Sequence, residues 1–145
     1  VAIGSDGTRV ASVLLAERQG AGGTAPVFMY LFTWESPMMG GILKSAHALE
    51  IAFVFDNVAQ PFPFIGDSPD RYALAANMSS SWINFARTTG NPNHEGLPKW
   101  DAYSPDKRAT MIFGPECRAV NDPSGEERLL WDGIFSYAGT HTVAV

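Results

Sequence analysis

Cysteine is almost missing. Cys117 stands alone among 145 residues, so no intrachain disulfide can staple the fold, and the compartment stays open. Histidine is also scarce. Three are spread along the chain, and with one cysteine they give no spacing of the kind a closed zinc site needs. No cofactor or metal is expected. Basic charge is short: 10 Lys and Arg against 15 Asp and Glu leave a net charge of −5. That excludes a basic footprint for nucleic acid, and no Lys/Arg run suggests an anionic membrane surface. Apolar runs fall far short of the roughly 20 residues of a membrane span, and no charged-then-apolar signal segment opens the chain. The opening residue is Val1 instead of Met, so the 145 residues are expected to start after processing or partway through a longer polypeptide.

What is present is globular. Hydrophobic residues make up 46% and charged ones 17%, a balance that forms one cored domain and not a disordered tail. Thr8 to Gln19 carries Val10, Val13 and Leu14 at helical spacing, with Gly20 as a stop. The glycine linker Gly20 to Thr24 leads into "APVFMYLFTW", Ala25 to Trp34, apolar on both faces as a strand covered on each side would be. An irregular but greasy stretch follows, from Glu35 to about Pro69, of the kind that packs over something. Ser68-Pro69 reads as an N-cap and first-turn proline for a helix whose apolar face is Leu74, Ala75, Met78, Trp82 and Phe85, ended by Gly90 and Pro92. Arg108 to Gly114 reads as a short strand. Ser124 with Glu127 reads as a capping box for a last helix stopping at Gly133, before a frayed tail "THTVAV". Helix, glycine turn and doubly covered strand in succession indicate an α/β sheet. Two strands and three helices cannot shield such a sheet, so neighbouring strands are expected outside this chain.

Nucleophile motifs are absent. No G-x-S-x-G elbow occurs, and "IGSDG" at Ile3 to Gly7 has the letters in the wrong spacing. "GDSP" at Gly66 to Pro69 has a Gly-Asp-Ser block, yet Ala138 stands where a D-x-x-H pair with His141 would need its aspartate, and Ser68 has a cap to make. "GAGGT" precedes a strand, so it is a turn and not a phosphate cradle. His94, in the polar turn "NPNHEG", reads as exposed, and His141 in the tail carries no argument. His47 differs. It opens "SAHALEIAFVF" beyond a sheet strand, on the side where α/β folds gather catalytic groups. From the residues alone it is either a packed structural histidine, which is favoured, or a catalytic base.

Four blocks, in order, resemble the C-terminal portion of type-B carboxylesterases, the α/β-hydrolase family that includes the cholinesterases. They are "PVFMYLFTW", "SAHALEIAFVF", "WINFARTTGNPN" and "LPKWDAYSPDKRATMIFG", and the resemblance runs from about Val10 to Trp131. It implies that Val1 to Val145 is the C-terminal part of one α/β-hydrolase domain, a partial sheet with flanking helices. It also implies that His47 is the general base of a Ser-His-Glu/Asp triad hydrolysing a small-molecule ester, and that Glu50 holds the loop by hydrogen bonds. The serine elbow, the oxyanion-hole loop and the triad acid would lie in a preceding part of the same polypeptide, and Glu35 and Glu50 do not match that acid. Met38, Met39 and Phe62 to Phe64 are expected mainly to pack, or to line an acyl or alcohol pocket. The alternative is a non-catalytic binding or adhesion member of the same family.

Overall fold

The computed structural model describes residues 3–61 and 63–131. The elements run α1 (Ile3–Gly22), β1 (Met29–Phe32), a 3-10 turn (Met38–Gly41), α2 (Glu50–Val54), α3 (Asp70–Arg87), β2 (Ala109–Phe113), β3 (Arg118–Asn121) and α4 (Gly125–Leu130). Helix α1 passes the expected stop at Gly20, where an added Cβ would meet nothing within 4 Å, and closes with Gly23 N–H on the Gln19 carbonyl at 3.0 Å. Phe62, Gly133, Ala138, His141 and the tail lie outside the described residues.

Among the described residues the sheet has three strands, in the order β1-β2-β3. β1 runs parallel to β2 with Tyr30 opposite Met111 and Phe32 opposite Phe113, and β2 is antiparallel to β3 with Thr110 opposite Val120. Central β2, expected only as a short strand, is buried at every position. β1 is shorter than the expected Ala25 to Trp34 and only half-buried along its length. Pro26 has no N–H to give a ladder, and the Val27 carbonyl is taken by the Tyr103 N–H at 2.7 Å. β3, exposed at three of its four positions, has no apolar run to betray it.

Side chains alternate across a sheet, so Tyr30, Phe32, Met111 and Phe113 share one face. On that face sits the core, where Trp34, Leu49, Phe53, Ile65, Leu74 and Met78 are sealed by α2 and α3. Phe53 stacks 5.0 Å from Trp34 and 5.2 Å from Phe32, which ties the five-residue α2 to the end of β1. The α3 face is as expected at Leu74, Ala75 and Met78, but Trp82 is half-buried and Phe85 is 45% exposed at the helix's far end. Both expected caps are corrected. Ser68 donates its hydroxyl to the Asp70 carboxylate and accepts from no helix N–H, and Ser124 is itself left-handed at φ 56°, so among the described residues no side-chain cap bond forms at α3 or α4.

Candidate functional site

The parallel pair β1–β2 points its carboxyl ends the same way, and the chain leaves β1 there toward His47. Thr33 N–H reaches the Phe113 carbonyl at 2.7 Å, so Thr33 faces β2 and the flanking Phe32 and Trp34 carbonyls face the open edge of β1. Ser45 Oγ lies within donating reach of both carbonyls, 2.8 Å from Trp34 and 3.2 Å from Phe32, its one proton directed at the nearer or shared between them. Before it, Lys44 is held to Glu35 by an ion pair at 2.8 Å, and its carbonyl accepts from Ser36 N–H at 3.1 Å. After it, Leu49 is buried in the core and its N–H bonds the Ala46 carbonyl at 3.3 Å. His47 is the tip between these two anchors. Ala48 behind it is left-handed at φ 68°, which turns the chain sharply back into α2.

His47 is exposed and lines an open cleft of ≈ 900 Å3 between α1 and the free edge of β1. Ser45, Glu50, Tyr30, Phe32, Tyr103, Arg108 and Thr110 line it too, with Thr8, Arg9 and Ser12 from α1 opposite. Among the described residues, the His47 ring makes no hydrogen bond, so it is not a packed, satisfied histidine. Glu50 is brought to the same cleft, but its carboxylate makes no hydrogen bond among the described residues. The loop is held by Ser45 and by backbone turns in place of the expected Glu50 bonds. Glu50 acts instead on Tyr30, whose hydroxyl is held above its ordinary value by burial first and by the Glu50 charge second. Glu35 is not in the cleft, and its carboxylate is spent on Lys44.

At the other end of the cleft, Arg108 pairs with Glu17 of α1 at 3.0 Å, and Arg128 grips Asp122 with two bonds of 3.0 and 2.9 Å. That guanidinium holds the Asp122 carboxyl below its usual range. The Tyr103 hydroxyl is buried without a partner among the described residues, and burial, then the Glu17 charge, push it up to about 12. The Arg108–Glu17 pair ties α1 to the start of β2.

Other expected features move. His94 is not a free exposed ring: it is half-buried, Nδ1 accepts from Gly96 N–H and Nε2 stands 3.1 Å from the Asn77 carbonyl, which makes Nε2 the protonated nitrogen. It staples the "NPNHEG" turn to α3. Met38, Met39 and Phe64 neither line the cleft nor pack fully, being 42%, 71% and 50% exposed. Burial raises the Cys117 thiol above its usual value, the opposite of an activated thiolate. Among the described residues no group of three or more His, Cys, Asp or Glu could hold a metal ion, and no helix is long and apolar enough to cross a membrane. Sequence reading missed Ser45, although a hydroxyl two residues before the histidine was a signal available to it.

Residues 2–130 match the model of the carboxylesterase family. Among curated proteins the chain is similar to a para-nitrobenzyl esterase of Bacillus subtilis (strain 168), 38% identical over 114 residues, covering 72% of this chain and 21% of that protein. It is also similar to a liver carboxylesterase of Sus scrofa, 35% identical over 133 residues, covering 88% of this chain and 22% of that one. Among solved structures, a Geobacillus stearothermophilus carboxylesterase superposes with a TM-score of 0.65 at 40% identity, covering 80% of this chain and 24% of that one. A PNB esterase superposes with a TM-score of 0.70 at 35% identity, over 81% and 24%. The chain spans about a fifth of the length of those curated relatives.

Proposed function

The chain belongs to the carboxylesterase family, with that family's α/β-hydrolase fold represented by a partial sheet and its flanking helices, and we propose that it contributes the general base, His47, to an ester-hydrolysing serine enzyme. The observation that carries the reading is an imidazole with no hydrogen-bond partner among the described residues, held at the tip of an anchored loop and open to a cleft. A serine hydroxyl becomes a competent nucleophile when such a ring takes its proton, and the ring then returns the proton to the departing alcohol. The second ring nitrogen needs a carboxylate to fix the tautomer. In this reading the serine and that carboxylate belong to a further part of the same polypeptide, which pairs with the free edge of β1. The substrate is a small-molecule carboxylic ester, and the 145 residues alone are inactive.

The test uses the full polypeptide that carries this segment and a p-nitrophenyl ester. His47→Ala should lower kcat by roughly 10³-fold or more, as loss of a triad member does, with an unchanged circular-dichroism spectrum. Full activity in that variant sinks the assignment of His47. No hydrolysis of any ester by the intact parent would favour a binding member of the family.

A further inference from the structure

Ser45 occupies an unusual position for a small exposed residue. Its hydroxyl carries a single proton, yet it lies within hydrogen-bond reach of two main-chain carbonyls that both project from the open edge of β1. Those carbonyls, two residues apart, would otherwise continue the ladder to any strand added beyond β1. Ser45 closes the edge at that point and ties the next residues to it. Two residues further on, His47 emerges, and two beyond that Leu49 is 2% exposed in the core. The ring is therefore mounted at two points, one polar and one apolar, with the left-handed Ala48 between it and the second.

We propose that Ser45 is a positioning residue for His47: through the Trp34 and Phe32 carbonyls it sets the height and angle at which the imidazole stands at the end of β1. The proposal rests on the reading of His47 as the base. The geometry separates this role from plain stability. Trp34 is already fixed by its own burial, its stacking on Phe53 and its indole bond to Asp70, so the β1 end does not depend on Ser45. The loop does. Ser45 is exposed, so losing its hydroxyl opens no cavity, and the freed carbonyls can turn to water. What is lost is the restraint on the segment from Ala46 to Ala48, and proton transfer is sensitive to displacements of about 1 Å.

The experiment compares Ser45→Ala, Ser45→Thr and His47→Ala in the full polypeptide with a p-nitrophenyl ester, reading kcat, KM and the thermal midpoint. The expected result is a kcat lower by roughly 10- to 100-fold in Ser45→Ala, with KM and thermal midpoint near wild type, and recovery in Ser45→Thr, which keeps the hydroxyl. An unchanged kcat in Ser45→Ala overturns the proposal if His47→Ala is inactive. So does a lower thermal midpoint with kcat intact, which marks a merely structural bond. Full activity in His47→Ala overturns the reading of the base itself, and the Ser45 role with it.

Discussion

The indole of Trp34 offers a test of how the site's foundation is held. Trp34 is 1% exposed, and its Nε1–H donates to Asp70 Oδ2 at 2.9 Å from the first turn of α3. Asp70→Ala leaves that buried N–H without an acceptor, which costs about 1–3 kcal/mol. It also removes a negative charge from a helix N-terminus, worth about 0.3–1 kcal/mol. The two together give a loss of about 1.3–4 kcal/mol. Asp70→Asn keeps an acceptor oxygen and loses only the charge, so its loss should stay below about 1 kcal/mol. Ser68, whose hydroxyl now goes to the same carboxylate, is half-buried and can turn to solvent in both variants, so it cancels in the comparison. Urea unfolding of the full polypeptide and the two variants, followed by tryptophan fluorescence, measures the difference as a shift in midpoint at constant slope. Equal destabilisation by Ala and Asn would show that charge and not the indole bond is what matters. A negligible loss in Asp70→Ala would refute the bond's role altogether.

Two further outcomes follow from other residues. Burial pushes the folded Tyr103 hydroxyl up to about 12, whereas the unfolded hydroxyl ionises near its ordinary value of 10.0. The unfolded state thus loses its proton first, so the stability from this group is whole below that value and declines as pH rises toward 12. Tyr103→Phe should flatten the alkaline decline, and at neutral pH should be neutral or stabilising because the orphaned hydroxyl is gone; a marked loss at neutral pH would reveal a partner for it. At Ala48, with φ 68°, Gly relieves about 1 kcal/mol of left-handed strain but adds about as much unfolded-state entropy, so Ala48→Gly should be nearly neutral. Ala48→Val should lose more than about 1 kcal/mol, and equal stability of the two in thermal unfolding would contradict the left-handed turn.

Residues that carry their structure locally were legible. β2 shows a mostly apolar run, Ala109 to Phe113 with one threonine, and α3 shows a proline at its start and a periodic face at Leu74, Ala75 and Met78. Elements that depend on distant partners were not. α2 is too short to announce itself by period and exists because Phe53 stacks on Trp34 and Phe32, which lie about twenty residues earlier in the chain. β3 is read only through its pairing with β2. The serine caps were placed at the right helix ends, but each hydroxyl had a competing option or a forbidding backbone angle that only coordinates disclose. His47 was singled out by its setting, whereas the ring's freedom from hydrogen bonds and the Ser45 mount are three-dimensional facts. His94 was misjudged because its second partner is the Asn77 carbonyl, 17 residues away on α3.

Backbone strain gathers where the histidine is carried. Of the nine described non-glycine residues with positive φ, Met39, Lys44, Ala48, Asp56 and Phe64 fall in the one irregular stretch between β1 and α3. Each costs of the order of 1–2 kcal/mol, and a stretch with so little regular structure cannot hold five such residues by propensity. The ties that hold them are tertiary: Ser36 Oγ to the Phe64 carbonyl, Met38 N–H to Ser36 Oγ at 3.1 Å, Lys44 to Glu35, and the burial of Leu49, Val58 and Ile65. Strained backbone persists only where its surroundings over-determine it. Such a loop has few alternative conformations of similar energy, because each tie restrains the turn beside it. That is why an irregular, glycine-dotted segment can present one imidazole in one place, and why its geometry belongs to the core beneath it as much as to its own residues.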